Sequence, residues 1–560
     1  MVASAQAEER PPVSSKEAGV ASVHPLATEA GLNALRQGGN AVDAAIATAI
    51  TLGVVDGHNS GLGGGCFILI RSADGQITAI DARETAPALA TRDMYLVPPK
   101  PGEVPAPAPT VNEKASKTGA LAVATPGALA GYALALERHG KLKLRDIALP
   151  AAKLAEEGFP LDKTYARRLA STSDELKEFP ASRELFFNAN GEVLKEGDVL
   201  KQADLARLLK AIAEQGAAAF YRGEFSQKVG AWMQANGGVL REEDFSSYQV
   251  KLREPLRSTY RGNEIVGFPP PSSGGVHVAQ ILNLLENFDL AKLAPANRVH
   301  VIAESMKLAF ADRAYWLGDP AFTKLPSGLI DKSYARTLAE RIDASDAGKA
   351  LTVTGHGQPP RADTDFFGDL IKHTTHLSAA DKDGNWVAIT QTINTSFGSK
   401  VIVPGTGVLL NNEMDDFAVA PNVPNAFKLV GSEANAVAPG KRPLSSMSPT
   451  LVLGKDGRPF LSVGAAGGPT IITQTVQNIV GVIDLNLTLE AALAAPRIHH
   501  QWSPDELRME YAFSPEVLEA MKQRGHAVQQ AGPLGIGTSQ GVRWDAVRGE
   551  FEAVREPRGR

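Results

Sequence analysis

The run His373-Thr374-Thr375-His376 has the side chains best suited to covalent chemistry. It follows a polar stretch without a hydrophobic period, residues 352–372, which we expect to be an exposed loop ahead of a strand. A backbone cut between His373 and Thr374 would free a new N-terminus there without opening a core. Thr374 would then hold a hydroxyl nucleophile and an α-amine, with a pKa of about 7.7–8.0, that could take its proton. On propensity alone, the simpler interpretation is a β-branched pair in a strand.

Other common catalytic motifs are missing from the sequence. The Gly-Lys pairs that begin at 140, 348, 440 and 454 are not followed by Ser or Thr, so there is no Walker loop for a phosphate. The run Gly61-Leu-Gly-Gly-Gly-Cys66 precedes a predicted strand, which argues against a dinucleotide site. No His-Glu-x-x-His spacing occurs, and the adjacent His499 and His500 are expected to be surface or structural histidines. The single Cys66 excludes an intrachain disulfide and a Cys-ligated metal.

The composition is that of a globular protein. Of the 560 residues, 43% are hydrophobic and 21% are charged, and 57 Lys and Arg stand against 62 Asp and Glu for a net charge of −5. So balanced a charge provides no basic surface for a phosphate backbone, and nucleic acid is not expected as a partner. The most apolar window, residues 41–55, contains Asp43 and is shorter than the roughly 20 residues that cross a bilayer, so no membrane span is expected.

Hairpins and helices form the predicted framework that must position Thr374. Pairs of strand-like runs flank four tight-turn dipeptides, at 74–75, 383–384, 456–457 and 548–549. Helical spacing covers residues 27–36, a helix capped by Asn40, a long tract from about 125 to 345 with few strand signals, and 471–483. Strands from both ends of the chain, with helices around them, predict stacked sheets that helices cover on both faces.

Seven segments, in this order along the chain, give the sequence its resemblance to the γ-glutamyltranspeptidase family of N-terminal-nucleophile hydrolases. They are Gly38-Gly-Asn-Ala-Val-Asp-Ala-Ala45, Ser60-Gly-Leu-Gly-Gly-Gly65, Arg83-Glu-Thr-Ala-Pro87, Thr374-Thr-His376, Asn411-Asn-Glu-Met-Asp-Asp-Phe417, Arg442-Pro-Leu-Ser-Ser-Met-Ser-Pro449 and Gly467-Gly468. The resemblance extends from about residue 20 to 545. Members of this family are made as precursors that cleave themselves before a catalytic threonine, which implies a cut here between His373 and Thr374.

The resemblance also implies a fold and a division of the chain. The fold would be a four-layer αββα sandwich of two stacked, mainly antiparallel sheets. Residues 20–373 would form the large subunit, with 352–373 as a flexible loop before the cut, and 374–560 the small subunit, the two chains making one intertwined domain. Residues 1–19 are polar and are expected to be a disordered lead-in, with order beginning near His24. No metal or organic cofactor is implied.

By the same resemblance, Thr374 would take the γ-glutamyl group as an ester. Thr392, on the partner strand of its hairpin, would be its hydrogen-bond partner. The backbone amides of Gly467 and Gly468 would form an oxyanion hole, since glycine allows close approach to the tetrahedral oxygen.

A second set of residues would recognise the amino-acid end of the donor. The groups implied for the α-carboxylate are Arg83, Ser445 and Ser446. The groups implied for the α-ammonium are Asp416, Glu413 and Asn394. Without the resemblance, two structural roles would explain these residues as well as donor binding does. Arg83 could form a surface ion pair, and Asp415-Asp416 could cap a loop.

The cephalosporin and glutaryl acylases are the nearest alternative, because they resemble this family but take donors that lack an α-amine. Asp416 favours a γ-glutamyl donor, since an unpaired buried carboxylate is costly. The segment between Phe417 and Pro443 matches the loop that covers the site in many bacterial members, and Phe427 stands where those carry Tyr. The alternative from another class is a binding protein that kept the fold and lost turnover.

The function expected is therefore an autoprocessed γ-glutamyl transferase and hydrolase. It would take the γ-glutamyl group from glutathione or a related amide and pass it to water, an amino acid or a peptide. The pattern Ala5-Gln-Ala7 is typical of an export cleavage site, which predicts a periplasmic or secreted protein, although the short tail of a cytoplasmic chain fits the same residues.

Overall fold

The computed structural model of the protein describes residues 13–98, 110–360, 374–419, 426, 428, 432–532 and 535–559. Its strands are β1 (Val13–Ser15), β2 (Ala18–Ser22), β3 (Gly65–Arg71), β4 (Ile77–Ala82), β5 (Phe159–Pro160), β6 (Val199–Leu200), β7 (Lys251–Arg253), β8 (Leu256–Tyr260), β9 (Asn263–Gly267), β10 (Thr375–Asp381), β11 (Trp386–Thr392), β12 (Thr450–Leu453), β13 (Pro459–Ala466), β14 (Ile498–His499), β15 (Leu507–Glu510), β16 (Val528–Ala531), β17 (Thr538–Asp545) and β18 (Glu550–Val554).

The helices complete the regular structure of these residues. They are α1 (Pro25–Arg36), α2 (Ala41–Val55), α3 (Glu113–Lys117), α4 (Ala128–His139), α5 (Leu144–Glu157), α6 (Lys163–Lys177), α7 (Pro180–Phe186), α8 (Ala203–Gln215), α9 (Ala218–Tyr221), α10 (Glu224–Ala235), α11 (Glu242–Ser247), α12 (Gly274–Leu285), α13 (Pro295–Trp316), α14 (Lys332–Ala339), α15 (Thr470–Ile483), α16 (Leu489–Ala494) and α17 (Pro515–Gln523). Short 3-10 helices lie at Ala120–Ala122, Ser327–Ile330, Glu413–Asp416, Glu433–Asn435 and Pro557–Gly559.

Two antiparallel sheets carry the fold. Sheet I has the strand order β2-β10-β11-β3-β4-β7, and sheet II has the order β1-β18-β17-β13-β12-β9-β8. Neighbouring strands within both sheets run antiparallel. Smaller sheets are formed by β14-β15-β16 and by β5-β6.

The side chains of β3 show how the layers stack. Phe67 and Leu69 point to one face of sheet I and join an apolar cluster with residues of sheet II, such as Val266 and Leu451. The alternating residues, including Ile68, point to the other face and pack with helices α2, α4 and α5. Because both faces of the strand are covered, it is an almost continuous apolar run rather than an alternating one.

Sheet II is covered in the same way by the second helical layer. Strands β12 and β13 pack in one apolar cluster with helices α12, α13, α15 and α16. The order helices, sheet I, sheet II, helices confirms the predicted αββα sandwich.

The predicted hairpins and the first helices agree with the structure. The pairs β3–β4 and β10–β11 lie in sheet I, and the pairs β12–β13 and β17–β18 lie in sheet II. The side chain of Asn40 accepts hydrogen bonds from the first turn of α2, and Asp43 completes a capping box, as its position before an apolar helical run predicts.

Two predictions about order and strands are wrong. Residues 13–19 were expected to be disordered, but β1 pairs with β18 and β2 pairs with β10, so regular structure begins well before His24; residues 1–12 lie outside the described part. The tract 125–345 also contributes β7, β8 and β9 to the main sheets. Strands β7 and β8 lie at sheet edges with several exposed side chains, so their sequences have no apolar run to signal a strand.

No helix among the described residues is long and apolar enough to cross a membrane.

Candidate active site

Thr374 lies directly before β10 and is buried, with 6% of its surface exposed. The register of the hairpin pairs Thr375 with Gln391, and one step further along it sets Thr374 opposite Thr392, the last residue of β11. The Thr392 hydroxyl accepts a hydrogen bond of 2.8 Å from the amide of Asn394. The hairpin that the Asp383-Gly384 turn predicts therefore brings the two threonines side by side at the same end of two neighbouring strands of sheet I.

His376, the last residue of the run around Thr374, belongs to the layer between the sheets. A side chain at Gly464 of sheet II would have its Cβ 2.4 Å from Nδ1 of His376. The ring is held by Thr390 and Ser378, at 2.9 and 3.1 Å. Burial lowers the pKa of His376 to about 3, so the ring is neutral and links the two sheets.

Gly467 and Gly468 form the turn between β13 and α15. Their φ angles are +135° and +65°, values that glycine adopts without strain. A Cβ at Gly467 would lie 2.3 Å from Oγ1 of Thr470. Gly467 lines the same cavity as Thr374, and neither glycine amide donates a hydrogen bond to another described residue. An oxyanion hole needs backbone N–H groups without another acceptor, and these two amides meet that condition among the described residues.

Arg83 stands at the centre of a buried charge cluster. It follows β4, is fully buried, and donates to the carboxylates of Glu413 and Asp416. Glu84 is also within reach, at 3.5 Å from Nη1 of Arg83. Glu413 and Asp416 lie on one short 3-10 helix, so one turn of the chain brings both carboxylates to the same guanidinium.

One guanidinium faces three carboxylates in this cluster, so its acids are in excess. Burial raises the pKa of Glu413 to about 8 and that of Glu84 to about 7, although the nearby Arg83 opposes both shifts. Burial likewise raises the pKa of Asp416. The same neighbours outweigh the burial of Arg83 and raise its pKa. A cationic ligand group would reduce the electrostatic repulsion among these carboxylates.

Ser445 and Ser446 follow Pro443 and Leu444, whose backbone oxygens lie next to Arg83, but no hydrogen bond joins either serine to Arg83. Arg83 donates instead to the backbone oxygen of Pro443, at 3.2 Å. Ser446 accepts a 2.8 Å hydrogen bond from Arg313 of α13. The hydroxyl of Ser445 accepts from the amide of Met447 at 3.1 Å.

Asn394 connects the two halves of the site. Its side chain donates to the backbone oxygen of Asn412, immediately before Glu413, at 2.9 Å. Its own amide is bound to Thr392. A continuous set of contacts therefore runs from the threonine pair to the charge cluster.

Asp56 is buried behind the strand that begins after Thr374. Its carboxylate accepts from the hydroxyl of Thr375 and, at 2.9 Å, from the side chain of Asn59. Burial raises its pKa to about 7. Asp56 ends α2, so the packing of that helix under sheet I fixes its position.

Three functional candidates were missed from the sequence. Arg313 and Glu84 contact predicted residues, and Asp56 lies next to Thr375. Glu84 belongs to the segment Arg83–Pro87, whose resemblance could have suggested it. Asp56 directly follows the apolar helix α2, a weak signal that could have drawn attention to it, whereas Arg313 lies on a helix with four other charged residues and has no such signal. His373 and Phe427 lie outside the described residues.

A group of potential metal ligands lies elsewhere among the described residues: His300, Glu304 and His526. His300 and His526 are hydrogen-bonded at 2.9 Å, and the ammonium of Lys307 lies 3.4 Å from Glu304. An internal hydrogen bond and an adjacent cation describe a structural polar network. None of these residues lines the cavity at Thr374.

His499 and His500 are both buried, so they are structural rather than surface histidines. The ring of His500 contacts Asp505 at 3.1 Å.

Solved structures share this architecture. A cephalosporin acylase from Bacillus halodurans is 28% identical with a TM-score of 0.84, covering 99% of this chain and 97% of that one. A Helicobacter pylori gamma-glutamyltranspeptidase is 37% identical with a TM-score of 0.59, covering 63% of this chain and 99% of that one. With its two stacked antiparallel sheets between helical layers, the protein has the fold of the N-terminal-nucleophile hydrolases.

Sequence comparison narrows this class to one family. The family model described as gamma-glutamyltranspeptidase matches residues 27–560. The glutathione hydrolase proenzyme of Escherichia coli (strain K12) is 44% identical over 550 residues, which cover 98% of this chain and 91% of that protein. The chain belongs to the gamma-glutamyltranspeptidase family of enzymes.

Proposed function

We propose that the protein cleaves itself between His373 and Thr374 and then moves γ-glutamyl groups. The donor is glutathione or a related γ-glutamyl amide, and the group passes to water, an amino acid or a peptide. The two chains of the precursor, ending at His373 and beginning at Thr374, stay together in one domain, since sheet I takes strands from both.

The observation that carries this proposal is the buried cluster around Arg83. A γ-glutamyl donor brings one α-carboxylate and one α-ammonium to the enzyme. The guanidinium of Arg83 is the partner for the carboxylate, and the surplus carboxylates of Glu413 and Asp416 are partners for the ammonium. Binding the donor therefore adds a cation where carboxylates outnumber cations and keeps Arg83 paired.

Self-cleavage uses the hydroxyl of Thr374 on the preceding carbonyl. Its oxygen attacks the carbonyl carbon of His373, the peptide C–N bond breaks, and an ester forms while the former amide nitrogen becomes the α-amine. Water then hydrolyses the ester, which frees the hydroxyl of Thr374 and leaves a C-terminal carboxylate on His373.

Transfer repeats this chemistry on the donor. The α-amine of Thr374 takes the hydroxyl proton as the oxygen attacks the γ-carbonyl, and gives it to the leaving amine. The amides of Gly467 and Gly468 hold the oxyanion, and Thr392 positions the nucleophile. Water or an acceptor amine then attacks the γ-glutamyl ester and releases Thr374.

Replacing the nucleophile tests the proposal. Thr374→Ala should remain one uncut chain without activity, read by intact mass and N-terminal sequencing after incubation at neutral pH. Thr374→Ser keeps the hydroxyl and should still be cut, with the small chain beginning at residue 374. A Thr374→Ala protein that is processed and active would refute the assignment.

An acylase is the second candidate, favoured by the TM-score of 0.84 to the Bacillus halodurans cephalosporin acylase. Paired γ-glutamyl and glutaryl anilides, which differ only in the α-amine, separate the two functions. We expect faster hydrolysis of the γ-glutamyl anilide. Faster hydrolysis of the glutaryl anilide would identify an acylase, and an uncut chain inert to both would identify a binding homologue.

Export to the periplasm or the medium stays a prediction from the Ala5-Gln-Ala7 pattern. Fractionation of producing cells, followed by an immunoblot for the chain, tests it. Protein confined to the cytoplasm would contradict it.

A further inference from the structure

A cavity of about 180 Å³ borders Thr374 on the side of β2. Val23 and His24, which follow β2, line it together with Thr374 and Gly467. The charge cluster lies in the other direction along sheet I, because Arg83 follows β4, three strands from β10 and so roughly 14 Å away at ordinary strand spacing. None of the predicted donor-binding residues lines the cavity.

Arg168 of α6 gives this cavity an anion-binding character. It is half-buried in the lining, and its guanidinium has no hydrogen-bond or ion-pair partner among the described residues. The neighbouring Arg167 also lines the cavity and is exposed. A half-buried guanidinium without a partner has lost part of its hydration and gains most from a carboxylate ligand.

The acids of the lining are already engaged by other groups. Asp56 accepts from Thr375 and Asn59. Asp162 caps α6 through a 2.7 Å bond from the amide of Tyr165. The third acid, Glu556, lies 2.9 Å from Arg497 and 2.8 Å from Arg558. These contacts leave the Arg168 guanidinium as a cation of the lining that no acid contacts, although the charge of Asp56 acts on it at longer range.

We propose that this cavity binds the terminal carboxylate of the leaving group and of the acceptor, an amino acid or short peptide, with Arg168 as its anchor. The proposal rests on the proposed function. The γ-glutamyl part of the donor extends from Thr374 towards Arg83, so the group on the other side of the reacting carbonyl extends towards β2. Leaving group and acceptor amine occupy the same position in the two half-reactions, so one anchor serves both.

The size of the cavity fits this assignment. Pockets for drug-sized ligands measure about 300–1,000 Å³. A cavity of about 180 Å³ is suited to a group of one or two residues rather than to a large acyl chain.

The test compares donors that differ only in the terminal carboxylate: γ-glutamylglycine and γ-glutamylglycinamide. The wild type should prefer the acid, and in Arg168→Ala the ratio of kcat/KM between acid and amide should fall by about 10- to 100-fold, the loss typical of one charge-assisted hydrogen bond. Arg168→Lys, which keeps the charge, should recover part of the ratio. Lys163→Ala removes a cation from the same helix outside the cavity and should leave the ratio unchanged.

A second arm assigns the source of the carboxylate. Transfer to glycylglycine and to glycylglycinamide, in competition with water, reports on the acceptor. A loss of discrimination in either arm supports the anchor and identifies which group it holds. A wild type without preference in both arms, or an Arg168→Ala protein with wild-type ratios in both, overturns the subsite. A processed wild type that hydrolyses neither γ-glutamyl donor would instead overturn the proposed function.

Discussion

Replacing Asp416 by Asn removes one charge from the charge cluster around Arg83 without changing the shape of the side chain. Asp416 is 12% exposed and contacts Arg83, which keeps Glu413 and Glu84 as partners after the change. We therefore expect Asp416→Asn to fold and to be processed. Its effect should fall on donors that carry an α-ammonium.

The expected magnitude follows from the interaction that is lost. A hydrogen bond to a charged group contributes about 1.5–3 kcal/mol, so kcat/KM for a γ-glutamyl anilide should fall by about 10- to 150-fold. A glutaryl anilide has no ammonium to bind, and one carboxylate fewer reduces the repulsion on its own charge. Its kcat/KM should stay level or rise, so the γ-glutamyl to glutaryl selectivity falls by at least the same factor.

The assay is steady-state hydrolysis of the two anilides by the wild type, Asp416→Asn and Asp415→Asn. Asp415 is the matched control, because it is an adjacent buried carboxylate that accepts a 2.7 Å bond from Ser116 and does not contact Arg83. Its selectivity should equal that of the wild type. Wild-type selectivity in Asp416→Asn, or an equal loss in Asp415→Asn, would refute the assignment of Asp416 to the ammonium.

Three further predictions concern the charge balance of the same cluster. In a Thr374→Ala background, where the chain stays uncut, Arg83→Ala should lower the free energy of unfolding by about 3–5 kcal/mol at pH 8, because it leaves buried carboxylates without a cation. Denaturant unfolding should show a smaller loss at pH 5, where these acids are protonated. An equal loss at both pH values would contradict this cause. In the wild type, the pKa of Glu413 is raised from 4.5 to about 8 and that of Glu84 to about 7. Because these acids ionise as the pH rises from 6 to 8, KM for a γ-glutamyl donor should fall over that range. KM for a glutaryl donor should not fall. The folded state holds protons that the unfolded state releases, so the same two acids should make stability decrease from about pH 4.5 to 8. A γ-glutamyl KM that is constant over this range would remove the cluster from ammonium recognition.

Much of the architecture could be predicted from local patterns. An Asp-Gly pair between two apolar runs predicts a hairpin, and Asn40 before an apolar helical run predicts the start of a helix. These signals lie within a few residues of the element that they specify. The edge strand β7 has exposed side chains and depends on its pairing with β4, so no local pattern could indicate it.

The resemblance names candidate site residues, but it does not contain their interactions with one another. The sequence places Arg83 with Ser445 and Ser446 as separate contacts to a carboxylate. In the structure, Arg83 is paired with Glu413 and Asp416, and Ser446 is bound to Arg313. Pairing of this kind depends on the distance in space between segments that lie 133 to 333 residues apart in the chain, a quantity that no spacing in the sequence contains.

The cavity at Arg168 has the same kind of origin, because it exists only where β2 pairs with β10. That pairing joins residues 18–22 to 377–381, and it closes sheet I on the side of Thr374 that faces away from β4. Each neighbour of Thr374 thus has a different source: β11 comes from a local hairpin, and β2 begins, at Ala18 and Gly19, within the stretch whose composition predicted disorder. The half of the site built around the hairpin and its matching motifs is therefore the half that sequence could predict. The half beside β2 requires the folded sheet, which is why the acceptor anchor emerges only from the structure.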